Sequence, residues 1–236
     1  MTGSKILQRL LRDSNAVAMT EMALATPLFL GATLGGLEIV NYVSAKMRVD
    51  QAAIYLADNI GRIGDTATLQ DRKVYENDIN DILTGVDFQT GERIELLKNG
   101  RVIVSSLELF DNTTHCAERD CSSLVIEQGK HFISWQRCLG KKDYTSTYGT
   151  TNTSLPDGMG PKDTKVYAEA DGATIFVEVA YEYQPLFTDS IVETTQLSSI
   201  ASFVIRHDRD RTQIYARNDY GTASKADCQV YSEDIV

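Results

Sequence analysis

The chain has 236 residues, of which 42% are hydrophobic and 24% charged, with a formal net charge of −10. That composition is ordinary for a chain that builds a core and leaves room for one medium domain with an appendage. The acidic balance argues against a nucleic-acid partner, whose phosphates are met by clustered Lys and Arg.

Lys5, Arg9 and Arg12 precede the first apolar run, against Asp13 alone, and the acidic excess follows it. By the positive-inside rule the N-terminus stays in the cytoplasm and the remainder is exported. Met22 to Ala45 reads MALATPLFLGATLGGLEIVNYVSA. These are about 24 residues, roughly 36 Å as a helix, enough for one pass of a lipid bilayer with a ~30 Å hydrocarbon core. Beyond it, Met47, Val49, Ala52, Ala53, Leu56, Ile60 and Ile63 recur near helical spacing with charges between them. The pattern predicts one long helix from about Val17 to Gly61, half in lipid and half outside.

Two other readings share this run. In a secretory signal peptide, Val43-Ser44-Ala45 would be the small-x-small cleavage site, but h-regions span about 7 to 15 residues and this run is longer. An uncleaved signal anchor explains length and orientation while giving Glu21 and Glu38 no role. A carboxylate at the centre of a bilayer helix costs a few kcal/mol, so both glutamates require a reason. Gly31 and Gly35 form a small-xxx-small pair that lets helix backbones approach closely in lipid. Glu38, seven residues after Gly31 and three after Gly35, shares their face. That puts its carboxylate either on a helix-packing surface or near enough to the outer interface to reach water. Pro27 removes a backbone hydrogen bond, which membrane helices tolerate.

Further along, residues 68 to 85 read as a short amphipathic helix carrying Leu69, Val74, Ile79 and Leu83, stopped by Gly85. Arg93 to Leu97 and Arg101 to Phe110 read as a hairpin turned at Lys98-Asn99-Gly100. Further strands are predicted over His131 to Cys138, Ala173 to Tyr183 and Ser198 to Arg206, with Asp171-Gly172 as a turn. The expected fold is α+β, a long N-terminal helix packed on an antiparallel sheet. Gly140 to Asp163 is polar and poor in aliphatic residues, and reads as a solvated insertion or an exposed contact surface. Asp208 to Arg211 reads as a solvated charged face.

Cys116, Cys121, Cys138 and Cys228 all lie on the exported side, where an oxidising compartment pairs cysteines. Four cysteines allow three connectivities. The favoured one closes a small loop between Cys116 and Cys121 and leaves Cys138 with Cys228 to tie down the polar C-terminal tail. His115, Cys116, Cys121 and Cys138 could form a zinc set, but the C-x4-C spacing is loose and disulfides are favoured. His115, His131 and His207 are the three histidines; there is no GxSxG, HExxH, P-loop or GxGxxG, and no C-x-x-C. The expectation is a non-enzyme without metal or cofactor.

Ala16-Val17-Ala18-Met19-Thr20-Glu21, then Ala23-x-x-x-Pro27-Leu28, then Gly35-x-x-Glu38, resembles the N-terminus of TadE-like proteins. These are pseudopilins of the bacterial tight-adherence (Flp-type) pilus machinery, which serves cell adhesion. FISWQRCLG, LPDGMGP, VEVAYEYQPLF and FVIRHDRDRTQIY look like segments of the same family's exported region. The resemblance implies cleavage by a prepilin peptidase between Ala16 and Val17, leaving Glu21 as the fifth residue of the mature chain. Ala16 stands where the family usually has Gly, and Met22 where it has an aromatic. An amine freed at Val17 would lie one helical turn from Glu21, or meet it between subunits, and opposite charges attract strongly at low dielectric. The implied organisation is a cytoplasmic leader over 1–16, a transmembrane helix and its continuation over 17–65, and a periplasmic domain over 66–236. The implied partners are pilin and pseudopilin subunits, the peptidase and inner-membrane assembly components. The alternative is an uncleaved signal-anchored envelope domain that binds a ligand or surface through the 140–163 loop.

Overall fold

The computed structural model describes residues 14–64, 72–117, 120–122, 124–187, 195–205, 209–216 and 224–235, with side chains from Val17 onward. Lys5, Arg9, Arg12, Leu69 and Arg206 to Asp208 lie outside the described residues. The architecture is α+β, a long apolar N-terminal helix whose later part packs on a four-stranded antiparallel sheet. The elements are α1 (Ser14–Arg62), α2 (Glu76–Thr90), α3 (Leu96–Asn99), β1 (Gly100–Leu109), α4 (Asn112–His115), β2 (His131–Leu139), β3 (Ala173–Glu182) and β4 (Gln196–Val204). The chain divides into two compact units: residues 1–44 with 185–194, and residues 45–184 with 195–236.

In the first unit α1 runs through Pro27 without a break. Its three threonine hydroxyls are satisfied by its own backbone: Thr20 donates to Val17 O, Thr26 to Met22 O and Thr33 to Phe29 O. Such back-bonding hides polar groups that have no other donor or acceptor nearby.

In the second unit the sheet order is β2-β1-β3-β4. All but the last residue of the central strand β1 is buried, because both faces of the sheet are covered. On one face lie α1 and α2. Val49, Ala52, Ala53, Leu56 and Ile60 of α1 are buried at the expected helical spacing, whereas Met47 points outward. Gly61 sits where any Cβ would strike the Phe203 ring of β4 at 2.3 Å, so close contact of helix and strand requires glycine there. The opposite face carries a cluster of Leu107, Ile133, Met159, Ala168 and Phe176, against which Tyr148, Leu155 and Val166 pack.

Two expectations are corrected and one is refined. α2 starts at Glu76 and ends at Thr90, not at Gly85, which lies inside the helix beside the Tyr55 hydroxyl. The tertiary partner outweighs the weak stop signal of a lone glycine. The hairpin over 93–110 does not form: Leu96–Asn99 is one helical turn that delivers the chain into β1, and β1 pairs with β2 and β3 instead. Asn-Gly therefore ends a helical turn here. Finally, Gly140 to Asp163 is mostly exposed, as expected of a solvated segment, but not wholly so: Gly140 and Gly158 to Gly160 are buried. Met159 is fully buried and bonds in both directions with Val166, and Gly158 and Gly160 hold left-handed backbone at φ 78° and 121°. Tyr148, Leu155 and Met159 anchor this otherwise polar segment on the sheet.

Candidate functional site

The residues singled out on α1 fall into two environments. The Ala16–Val17 bond lies in the first turn of the described helix. Val17 and Glu21 are exposed, and a Cβ on Gly31 or Gly35 would meet nothing within 4 Å. That stretch is an open apolar surface, with Leu24 and Leu28 nearly four-fifths exposed.

Glu38 is different, being fully buried. The Leu186 N–H, 148 residues along the chain, donates to its carboxylate at 3.0 Å to one oxygen and 3.3 Å to the other. One partner is thus the chain's own connection between β3 and β4, a contact that the sequence reading did not name. The contact joins two segments of the resemblance, Gly35-x-x-Glu38 and Gln184-Pro185-Leu186-Phe187. A buried carboxylate without donors is heavily penalised, and a backbone N–H lowers that penalty.

The far end of α1 is held in the second unit. Arg209 is nine-tenths buried, and its Nη2 donates to the carbonyls of Ile60, Gly61 and Ile63 at 2.5 to 3.3 Å. A helix C-terminus leaves its last carbonyls without partners and carries partial negative charge, so a guanidinium caps it twice over. Burial lowers the Arg209 pKa to about 10, which still leaves it charged at neutral pH. Asp208 lies outside the described residues, but Arg209 is buried and Asp210 and Arg211 are half-buried, so 209–211 is not a solvated face. Residues 209–215 run beside 72–75, with Tyr215 N donating to Val74 O and Glu76 N to Tyr215 O. Burial pushes the Asp210 carboxyl up, and hydrogen bonds from Thr212 and Tyr215 outweigh it, leaving the group below its ordinary range.

Other charged groups brace the same unit. Arg137 of β2 donates from Nε and Nη2 to Glu76 at the start of α2, 2.5 to 3.0 Å away and buried. Lys46 of α1 bonds Asp50 and the Ser198 carbonyl, and Arg48 bonds the Thr90 carbonyl at the end of α2. Arg209 and Arg137 were missed as site residues. Their signal was present as basic residues set against apolar strand patterns, but such patterns do not name the acceptor.

The cysteines pair as Cys116–Cys121 and Cys138–Cys228, with Cα separations of 5.6 and 4.6 Å. The second bond ties the tail to β2, helped by Cys138 N donating to Ala226 O and Arg101 Nη2 to Cys228 O. His115 is buried, stacked on Phe110, with Nε2 2.8 Å from Glu108. Ser106 donates to the other oxygen of Glu108, so the carboxylate lies between hydroxyl and imidazole. A nucleophile needs the base adjacent to it; this order does not supply that. Ser106 and Glu108 line a cleft of about 330 Å³ with Val74, Ser134, Arg137, Arg209, Arg211 and Lys225; Arg137 and Arg209 are engaged as above and Arg211 donates to Asp171. His131 Nε2 lies 3.2 Å from the Ala168 carbonyl. Among the described residues, no group of three or more His, Cys, Asp or Glu is arranged to hold a metal.

Fold and site define a class: a disulfide-braced α+β domain that carries one helix long and apolar enough to cross a membrane. No family model, curated protein or solved structure matches the chain.

Proposed function

We propose that this protein is a TadE-like pseudopilin, a non-catalytic component of tight-adherence pilus assembly. In this reading α1 is anchored in the bacterial inner membrane with its N-terminus in the cytoplasm, and the disulfide-bonded domain is periplasmic. A prepilin peptidase removes residues 1–16. Pilin and pseudopilin subunits then pack along the open stripe of Gly31 and Gly35, with Glu21 paired to the new amine at Val17.

The observation that carries the reading is the bond from the Leu186 N–H to Glu38. It gives the second intramembrane-run glutamate a partner and uses two of the segments on which the resemblance rests. Cleavage after Ala45, as in a secretory signal peptide, would remove Glu38 from that bond and cut a continuous helix at a buried residue. A detachable signal sequence has no need of a contact with the folded chain.

The test is the intact mass and N-terminal sequence of the protein from its native membranes. A chain beginning at Val17 supports the pseudopilin reading. One retaining Met1 or Thr2 is a plain signal anchor, and one beginning at Lys46 is a secreted domain; either overturns the reading. In the same cells Glu21→Ala should leave membrane insertion unchanged and reduce piliation at least about tenfold, the loss of a charge pair worth ~1.4 kcal/mol or more at low dielectric. Normal piliation would remove Glu21 from the mechanism.

A further inference from the structure

Beyond Glu21, the apolar surface of α1 up to Ser44 is interrupted by a second acidic residue. Glu38 is buried, and Asn41 and Tyr42, three and four residues on and so on the same side of the helix, are half-buried. The cover over Glu38 comes from Pro185 to Phe187, within the same compact unit as α1 up to Ser44. The cover itself is apolar on its outside. Leu186 and Phe187 are 45% and 46% exposed, and Ile39, Val40 and Val43 on the helix are exposed at the same level. Pro185 has no N–H, and the Leu186 N–H is spent on Glu38, so this stretch presents few backbone donors to its surroundings.

The level can be placed along the helix. Counted from the freed amine at Val17, whose charge pairs with Glu21 at the inner boundary, the helix reaches Leu37 in about 21 residues, or about 31 Å at 1.5 Å per residue, which matches the hydrocarbon thickness and leaves the end of the Met22–Ala45 run in the outer headgroup layer. Glu38 is the next residue. A polar notch at that depth coincides with the headgroup layer, where amphipathic and aromatic side chains concentrate.

We propose that Pro185–Phe187 is a second membrane contact: Leu186 and Phe187 insert into the headgroup layer of the outer leaflet while the Leu186 N–H shields Glu38. The proposal rests on the reading of α1 as membrane-spanning. Lipid, rather than a neighbouring helix, is the occupant for two reasons. Leu186 and Phe187 leave nearly half of their surface exposed at a level of α1 where Ile39, Val40 and Val43 are also exposed and apolar, and close helix packing in a membrane calls for small residues rather than Leu and Phe. Through this contact the β3–β4 connection sets how deep the helix sits, since the collar and the notch must stay at the interface.

The experiment uses the full chain with Trp135→Phe, in vesicles of phosphatidylethanolamine and phosphatidylglycerol, with one new tryptophan at a time. Phe187→Trp reports on the segment and Leu28→Trp on the helix. Lipids brominated near the glycerol end of their chains quench shallow tryptophans, and those brominated near the methyl end quench deep ones. The expected result is a blue-shifted Phe187→Trp quenched about twofold or more by the shallow label and less by the deep one. Leu28→Trp should show the reverse order. If Leu28→Trp is quenched while Phe187→Trp is not, the proposal falls and the spanning helix stands; this holds whether Phe187→Trp emits as in water or as in a dry protein contact. If Leu28→Trp is unquenched, the spanning reading falls and the proposal falls with it.

Discussion

From Val17 to Val43, α1 turns Leu24, Leu28, Phe29, Ile39 and Val40 outward; from Ala45 to Ile60 it buries Val49, Ala53, Leu56 and Ile60 completely. The two stretches belong to one helix and are built from similar apolar residues. The second is amphipathic, with Asp50 and Asp58 half-buried and Arg62 exposed beside its buried stripe, whereas the first has no such polar side. Burial against protein needs only one apolar stripe, and an apolar solvent accepts the whole circumference. The difference teaches that hydrophobic content does not assign a helix to core or membrane; the angular distribution of the exceptions does. In the first stretch the charged exceptions are Glu21, exposed near its start, and Glu38, which the chain covers.

The strongest way to break this comparison is to truncate one leucine in each stretch. Leu56→Ala should destabilise the folded domain by about 2 to 5 kcal/mol, while Leu28→Ala should change it by less than about 0.5 kcal/mol, as at exposed sites. Urea unfolding in detergent, followed by near-ultraviolet circular dichroism, reads both, and equal losses would erase the distinction. Next in size, the double variant Cys138→Ser with Cys228→Ser should cost about 2 to 4 kcal/mol, because the bond closes a loop with a sequence separation of 90. The loss should be confined to the domain transition and leave helix insertion unchanged.

A smaller effect sharpens the comparison at the end of α1. Arg209→Met should cost about 1.5 to 3 kcal/mol by leaving the carbonyls of Ile60, Gly61 and Ile63 without their donor. Hydrogen exchange should rise in the last turns of α1 and not near Leu28. The smallest effect is one of pH. Asp210 is held below the ordinary carboxylate range, so it binds protons less readily folded than unfolded. Its contribution is complete above about pH 4 and disappears as the pH falls through the lower, folded value. Asp210→Asn should flatten that acid limb of the stability curve; an unchanged limb would rule out the group.

The long helix, β2, β3 and β4 were legible because each has one dominant period and few competing signals. The favoured cysteine pairing was legible from proximity alone. The Lys98-Asn99-Gly100 turn misled because Asn and Gly end helical turns as readily as they make hairpins, and only the pairing of β1 with β2 and β3 decides between them. Gly85 misled because helix propensity is a weak prior next to packing. In the 140–163 segment, the apolar anchors Tyr148 and Met159 are too sparse to form any period. Glu38 was visible as an anomaly whereas Arg209 read as part of a solvated charge run, and the partners of both lie about 150 residues away in sequence, where no local pattern names them.

The cap on α1 also orders events in time. Ile60 and Arg209 are separated by 149 residues, so at about 5 to 20 residues per second the ribosome needs roughly 7 to 30 s to supply the capping arginine after the helix is made. During that interval Val49, Leu56 and Ile60 have left the ribosome while much of the sheet they pack against has yet to be synthesised. Nascent copies of this chain therefore emerge with a sticky, open-ended helix, and their safe arrival depends on something holding that stripe until the last strand and its arginine follow.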